Sequence, residues 1–228
     1  MIEDFDCKEI SKELYDDIQK VRLKNAANLR KVRQKYSKKL AEATAEQILD
    51  FVRYFIGNYN YSWIAYEIIY CHETALKIIS EKELKEFGKQ IDSWGASDIF
   101  AIFLAGPAWR SSQVSDDLIL SWAHSNDYWW RRTALVCTVS LNKRTKGGQG
   151  DIPRTLKICR VLLEDKNDKV IKALSWALRE LIPHDSESVQ KFISENENKL
   201  AAQVKREVKN KLATGVKNPK GKQREKTA

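Results

Sequence analysis

Glycine and proline are scarce, 9 and 4 among 228 residues, too few for a turn-rich all-β architecture. The four cysteines, Cys7, Cys71, Cys137 and Cys159, form no close pair. That argues against a zinc site built on CxxC spacing, and four reduced thiols in a cytoplasmic protein are expected. The histidines His72, His124 and His184 stand far apart and none belongs to an HExxH sequence, so no metal site is expected. GxxxxGK[ST], GxGxxG and GxSxG are all absent, which sets aside the common nucleotide-binding and serine-hydrolase motifs. No run approaches the ~18 apolar residues of a membrane-spanning helix. The opening MIEDFDCKEISKELYDD is acidic and lacks an apolar stretch, so it does not read as a secretory leader.

Apolar residues make up 43% of the chain, enough to bury a sizeable core. Lys and Arg number 40 against 31 Asp and Glu, a net charge of +9. Such a surplus favours a polyanionic partner, most simply nucleic acid. Seven tryptophans accompany it, and aromatic and basic groups together suit a surface that meets bases, sugars and phosphates.

The periodicity is helical throughout. Ile10, Leu14, Ile18 and Val21 recur at three- and four-residue steps within a helical first 40 residues. A strongly basic stretch over 21–40 includes Arg30 and Arg33. Further helices are predicted over 44–55, 63–71 and 78–87, the last with Gly88 as a C-terminal cap. One over 97–104 is expected to stop at Gly106-Pro107. Others follow over 114–123, 128–141, 153–163, 169–181, 186–195 and 199–212. A basic, glycine-rich loop, Lys143-Arg144-Thr145-Lys146-Gly147-Gly148-Gln149-Gly150, separates two of them. The tail from 214 to 228 has almost no apolar residues and is expected to be disordered.

An internal repeat emerges at an offset of 41 residues. Asn126-Asp127 precedes YWWRRTAL, as Asn167-Asp168 precedes KVIKALSW. This is the period of a HEAT-type helix pair. The Asp stands where it can accept from free backbone N–H groups at a helix start. Arg131 and Lys172, four positions on, are placed to pair with a neighbouring Asp. The predicted architecture is all-α, a HEAT-like solenoid with a concave basic face, as one domain over 1–213.

Asp98 precedes the apolar run Ile99-Phe100-Ala101-Ile102-Phe103-Leu104. Ser97 or Asp98 could cap a helix beginning there, an ordinary structural duty. Trp94 and Trp176 would usually be core residues. Trp129-Trp130-Arg131-Arg132 is harder to bury, because adjacent helical positions point roughly 100° apart, so at least one arginine must face away from the core.

Taken in order, Trp94-xxx-Asp98, WWRRTAL at 129–135 and ALSWALREL at 173–181 resemble the DNA alkylation repair family of AlkD type, the HEAT-like-repeat DNA glycosylases. The likeness runs from about residue 10 to 212. It implies Asp98, Trp94 and Trp176 as catalytic residues and Arg132 or Arg131 as the site arginine, with Arg132 favoured because the repeat gives Arg131 the structural role. The implied reaction is hydrolysis of the N-glycosidic bond of cationic N3- or N7-alkylated purines in duplex DNA. It needs no cofactor and proceeds without a tight base-flipping pocket. No lysine stands out as a Schiff-base nucleophile, so a monofunctional glycosylase is expected, and asymmetric duplex binding needs only a monomer. Lys143, Arg144, Lys146, Arg30 and Arg33 are candidates for phosphate contacts. Two other functions fit a helical solenoid: a non-catalytic protein that binds distorted duplex, and a protein-interaction scaffold.

Overall fold

The computed structural model describes residues 5–219, apart from the side chain of Gln90. Residues 220–228, most of the tail expected to be disordered, lie outside the described residues. Among the described residues every regular element is helical, and no helix is long and apolar enough to cross a membrane. The chain forms two compact units, divided between Ser121 and Trp122.

In the first unit, α1 (Cys7–Lys20) starts at Asp6, whose carboxylate accepts from the backbone N–H groups of Lys8 and Glu9. Its buried stripe is Ile10, Leu14 and Ile18, the i, i+4, i+8 spacing of one helix face. The helical pattern breaks after Lys20, so the first 40 residues make two helices. The second, α2 (Ala26–Lys39), buries only Leu29 and Tyr36, and ion pairs fasten it. Arg30 and Arg33 reach Glu67, Lys35 reaches Asp17, and Lys39 reaches Glu13. Next come α3 (Ala45–Asn58), α4 (Ser62–Cys71) and α5 (Glu81–Phe87). α3 and α5 begin with capping boxes, Thr44 with Gln47 and Ser80 with Glu83. Gly88 follows α5 at φ −73° and leads into a 3-10 turn, so it makes no left-handed cap.

The expected stop at Gly106-Pro107 does not occur. α6 (Trp94–Phe100) passes through a π-helical turn at Ala101–Ala105 into α7 (Gly106–Arg110). Proline lacks the N–H that an α-helix would direct to residue 103. The wider turn absorbs that loss: Gly106 N–H bonds Ala101 O, five residues back. Single π-turns inside helices are frequent at functional positions. α8 (Asp116–Ala123) contains the division between the units.

In the second unit, α9 (Tyr128–Asn142) is buried continuously from Arg132 to Asn142. α11 (Asp168–Leu181) lies against both α9 and α13 (Ala202–Thr214), while α10 (Ile152–Val161) and α12 (Ser186–Glu195) also pack on α11. The expected ion pairs form: Arg131 Nε donates to Asp165 Oδ2 at 2.6 Å, and Lys172 Nζ stands 2.7 Å from Asp168 Oδ2. The caps differ by one position. Asp127 caps α9, but Asn167 rather than Asp168 caps α11.

All four cysteines are free thiols, two of them buried. Burial pushes the thiols of Cys137 and Cys159 well above the usual range, so they are inert packing groups.

Candidate active site

Ser93, not Ser97 or Asp98, caps α6: its hydroxyl accepts from Ala96 N–H at 3.2 Å. Ser97 is buried. Asp98 therefore sits inside the helix, half-buried, and does not cap it. Trp94 is one turn earlier on the same face, and its indole is 62% exposed. A side chain of that size usually buries its rings, so the exposed Trp94 is a departure from ordinary packing in this unit.

Arg30 and Arg33 are not simple solvated cations. Arg30 Nε and Nη2 bond Glu67 at 2.9 and 2.8 Å, and the guanidinium lies 5.8 Å over the Trp63 ring. Arg33 is only 12% exposed, with Nε 3.3 Å from Glu67. Its Nη1 donates to Ser37 Oγ at 3.3 Å.

In the second unit Trp176 is half-buried on α11. Its Nε1 donates to Glu180 Oε1 at 3.0 Å, one turn along the helix. The same oxygen lies 3.6 Å from Lys143 Nζ, which stands 6.0 Å from the Trp176 ring centroid. One carboxylate thus steadies the ring edge and the cation at its face. Glu180 carried no signal in the sequence beyond i+4 spacing.

The loop that presents Lys143 is tightly built. Gly148 N–H bonds Lys143 O and Gly150 N–H bonds Leu141 O. A Cβ at Gly148 would come within 2.7 Å of backbone atoms of residues 141–143, which only glycine avoids. Gly150, at φ +92°, lies against the His184 ring, whose Nε2 stands 2.6 Å from Asn142 O. Arg144 Nη2 lies 3.4 Å from Pro183 O, and Lys146 is half-buried.

The two adjacent arginines separate cleanly. Arg131 bonds Asp165 and the carbonyls of Ser125 and Asn126, so its donors hold the repeat together. Arg132 is 7% exposed, and its Nη1 donates to Lys169 O at 2.6 Å. The structure thus places Trp94 with Asp98 in one unit, and Lys143 with Trp176 and Glu180 in the other, where Arg132 is braced by α11.

Among the described residues every regular element is helical, an exposed indole stands one turn from a carboxylate, and a second indole lies beside a lysine, which together define an all-α protein. The chain belongs to the DNA alkylation repair enzyme family, whose model matches residues 23–212. No curated protein and no solved structure matches it.

Proposed function

We propose that this member of the family is a monofunctional DNA glycosylase that hydrolyses the N-glycosidic bond of cationic N3- or N7-alkylated purines in duplex DNA. The observation that carries the reading is the spacing of Trp94 and Asp98: a half-buried carboxylate inside α6, one turn from an exposed indole.

Alkylation at N7 places positive charge on the purine, so the base leaves neutral and needs little acid assistance. The C1′–N9 bond breaks with its electron pair going to the base, and positive charge develops on the deoxyribose. A fixed carboxylate lowers the energy of that charge. Water then adds at C1′ and gives its proton to Asp98 or to solvent. The exposed indole face of Trp94 attracts a cationic sugar by ~0.5–2 kcal/mol, and the resemblance assigns Trp176 of the second unit the same kind of contact. In this reading Lys143 leaves its place near Trp176 for a phosphate when DNA arrives, and Arg132, with Arg131 committed to Asp165, steadies the backbone. No cofactor enters the scheme, and a monomer suffices.

The test is release of free N7-methylguanine from a defined duplex, with binding to the same duplex followed across a salt series. Base release supports the glycosylase. Salt-sensitive binding without release indicates a non-catalytic reader of distorted DNA, and neither indicates a protein scaffold.

A further inference from the structure

A cavity of about 630 Å³ opens in the first unit, lined by residues at the starts of α2, α4 and α6. Its volume falls within the ~300–1,000 Å³ typical of small-molecule sites. We propose that it binds one nucleotide, through an indole floor for the base and a cationic wall for the phosphate.

The floor is Trp63, half-buried, with Ile99 beside the same space. Aromatic faces of this kind stack with any nucleobase. The cationic wall is Arg30 and Lys89. Arg30 keeps 43% of its side chain exposed although Glu67 accepts from its Nε and Nη2. A guanidinium has five N–H donors, so donors remain. Two arginines share the single Glu67 carboxylate, which leaves one positive charge uncompensated within that trio. α4 begins at Ser62 with no side-chain cap from Tyr61, so its first turn, also lining the space, adds a positive dipole end. Asp92, exposed on the same rim, supplies an acceptor for an exocyclic amine or a sugar hydroxyl. An apolar ligand would have no use for two cations, and a bare phosphate would leave the indole floor empty. A nucleotide uses both.

The nucleotide can be free or part of a DNA strand, and one probe distinguishes the two. 2-Aminopurine fluorescence falls when the base stacks on an indole. One arm uses 2-aminopurine deoxyribonucleoside 5′-monophosphate alone; the other uses a duplex with a single unpaired 2-aminopurine nucleotide. The variant is Gly95→Leu, because Gly95 lines the cavity and a Cβ there meets nothing within 4 Å. Thermal melting checks that it folds, and Trp63→Leu removes the floor independently.

Quenching of the free nucleotide, weakened about tenfold or more in both variants, establishes a free-nucleotide site. The same pattern with the duplex alone establishes a site for an extruded nucleotide. No quenching in either arm, or quenching that folded Gly95→Leu retains in full, overturns the proposal. The cavity claim does not require bond cleavage. A chain that binds the probe yet releases no N7-methylguanine keeps this site and loses the glycosylase reading, and the reverse result does the opposite.

Discussion

The two units hold their site residues in contrasting ways. In the first, Trp94 stands largely in solvent on a helix whose regularity is interrupted by a π-turn just beyond Asp98. In the second, Trp176 is clipped by Glu180, Arg132 is braced on Lys169 O, and the loop carrying Lys143 is knitted to the end of α9. Exposed groups without anchoring partners contribute little to stability, whereas groups in hydrogen-bonded networks are rigid and costly to disturb. The contrast teaches that the candidate residues of the first unit stand open to solvent, whereas those of the second are held by hydrogen bonds and an ion pair. Substitutions in the two units should therefore divide activity from stability differently.

The largest expected effect is at Asp98. Asp98→Asn should slow N7-methylguanine release by roughly 10²–10³, the scale of a lost electrostatic stabiliser. The tryptophans come next. Trp94→Ala and Trp176→Ala should each slow release by about tenfold, equivalent to ~1.4 kcal/mol. Trp94→Ala should leave stability within ~0.5 kcal/mol, while Trp176→Ala should lower it by ~1–3 kcal/mol in denaturant titration. Equal stability losses would erase the distinction between the units.

Glu180 sharpens the comparison further. Glu180→Ala should slow release a few-fold, about 1 kcal/mol for one hydrogen bond, and Glu180→Gln should restore most of it by keeping an acceptor for Trp176 Nε1. A Gln variant as slow as the Ala one would show that the ion pair to Lys143 is what matters. In the loop, Gly148→Ala should cost ~1–3 kcal/mol through overpacking, read as a lower Tm.

The smallest effects concern acid. In the first unit Lys35 and Lys20, then Tyr36, bond Asp17 and hold its pKa at about 2, below the usual 3.8. In the second, burial raises the pKa of Glu207, but hydrogen bonds from Ser175, Gln203 and Lys217 outweigh it, leaving the group below 4.5. A depressed carboxylate contributes stability that is complete above its unfolded value and lost as pH falls through the folded one. Urea stability should hold near neutral pH and decline below pH 4.5. Asp17→Asn and Glu207→Gln should each flatten part of that decline. A decline unchanged in both variants would place the acid sensitivity elsewhere.

Helix identity was legible wherever apolar spacing was strong. The 186–195 helix falls at the expected residues, and the 41-residue repeat anticipated that Arg131 pairs with an Asp, which the structure shows to be Asp165. The start of α6 and the passage through Pro107 were not legible. Ser93 looks no more like a cap than Ser97 does, and proline reads as a stop unless one knows that a π-turn compensates for it. Among the candidate site residues, Trp94, Asp98, Arg132 and Trp176 stood out through a motif. Glu180 did not, because its role depends on Lys143 being folded back by Gly148 and Gly150. The Trp63 cavity was equally hidden: it draws on three helix starts spread over some seventy positions.

The most direct test compares wild type and Asp98→Asn on one N7-methylguanine duplex, measuring affinity and single-turnover base release together. The expected result is near-equal affinity with release reduced at least a hundredfold. Undiminished release by Asp98→Asn, or a loss of release matched by an equal loss of affinity, would contradict a carboxylate that acts on the cationic sugar.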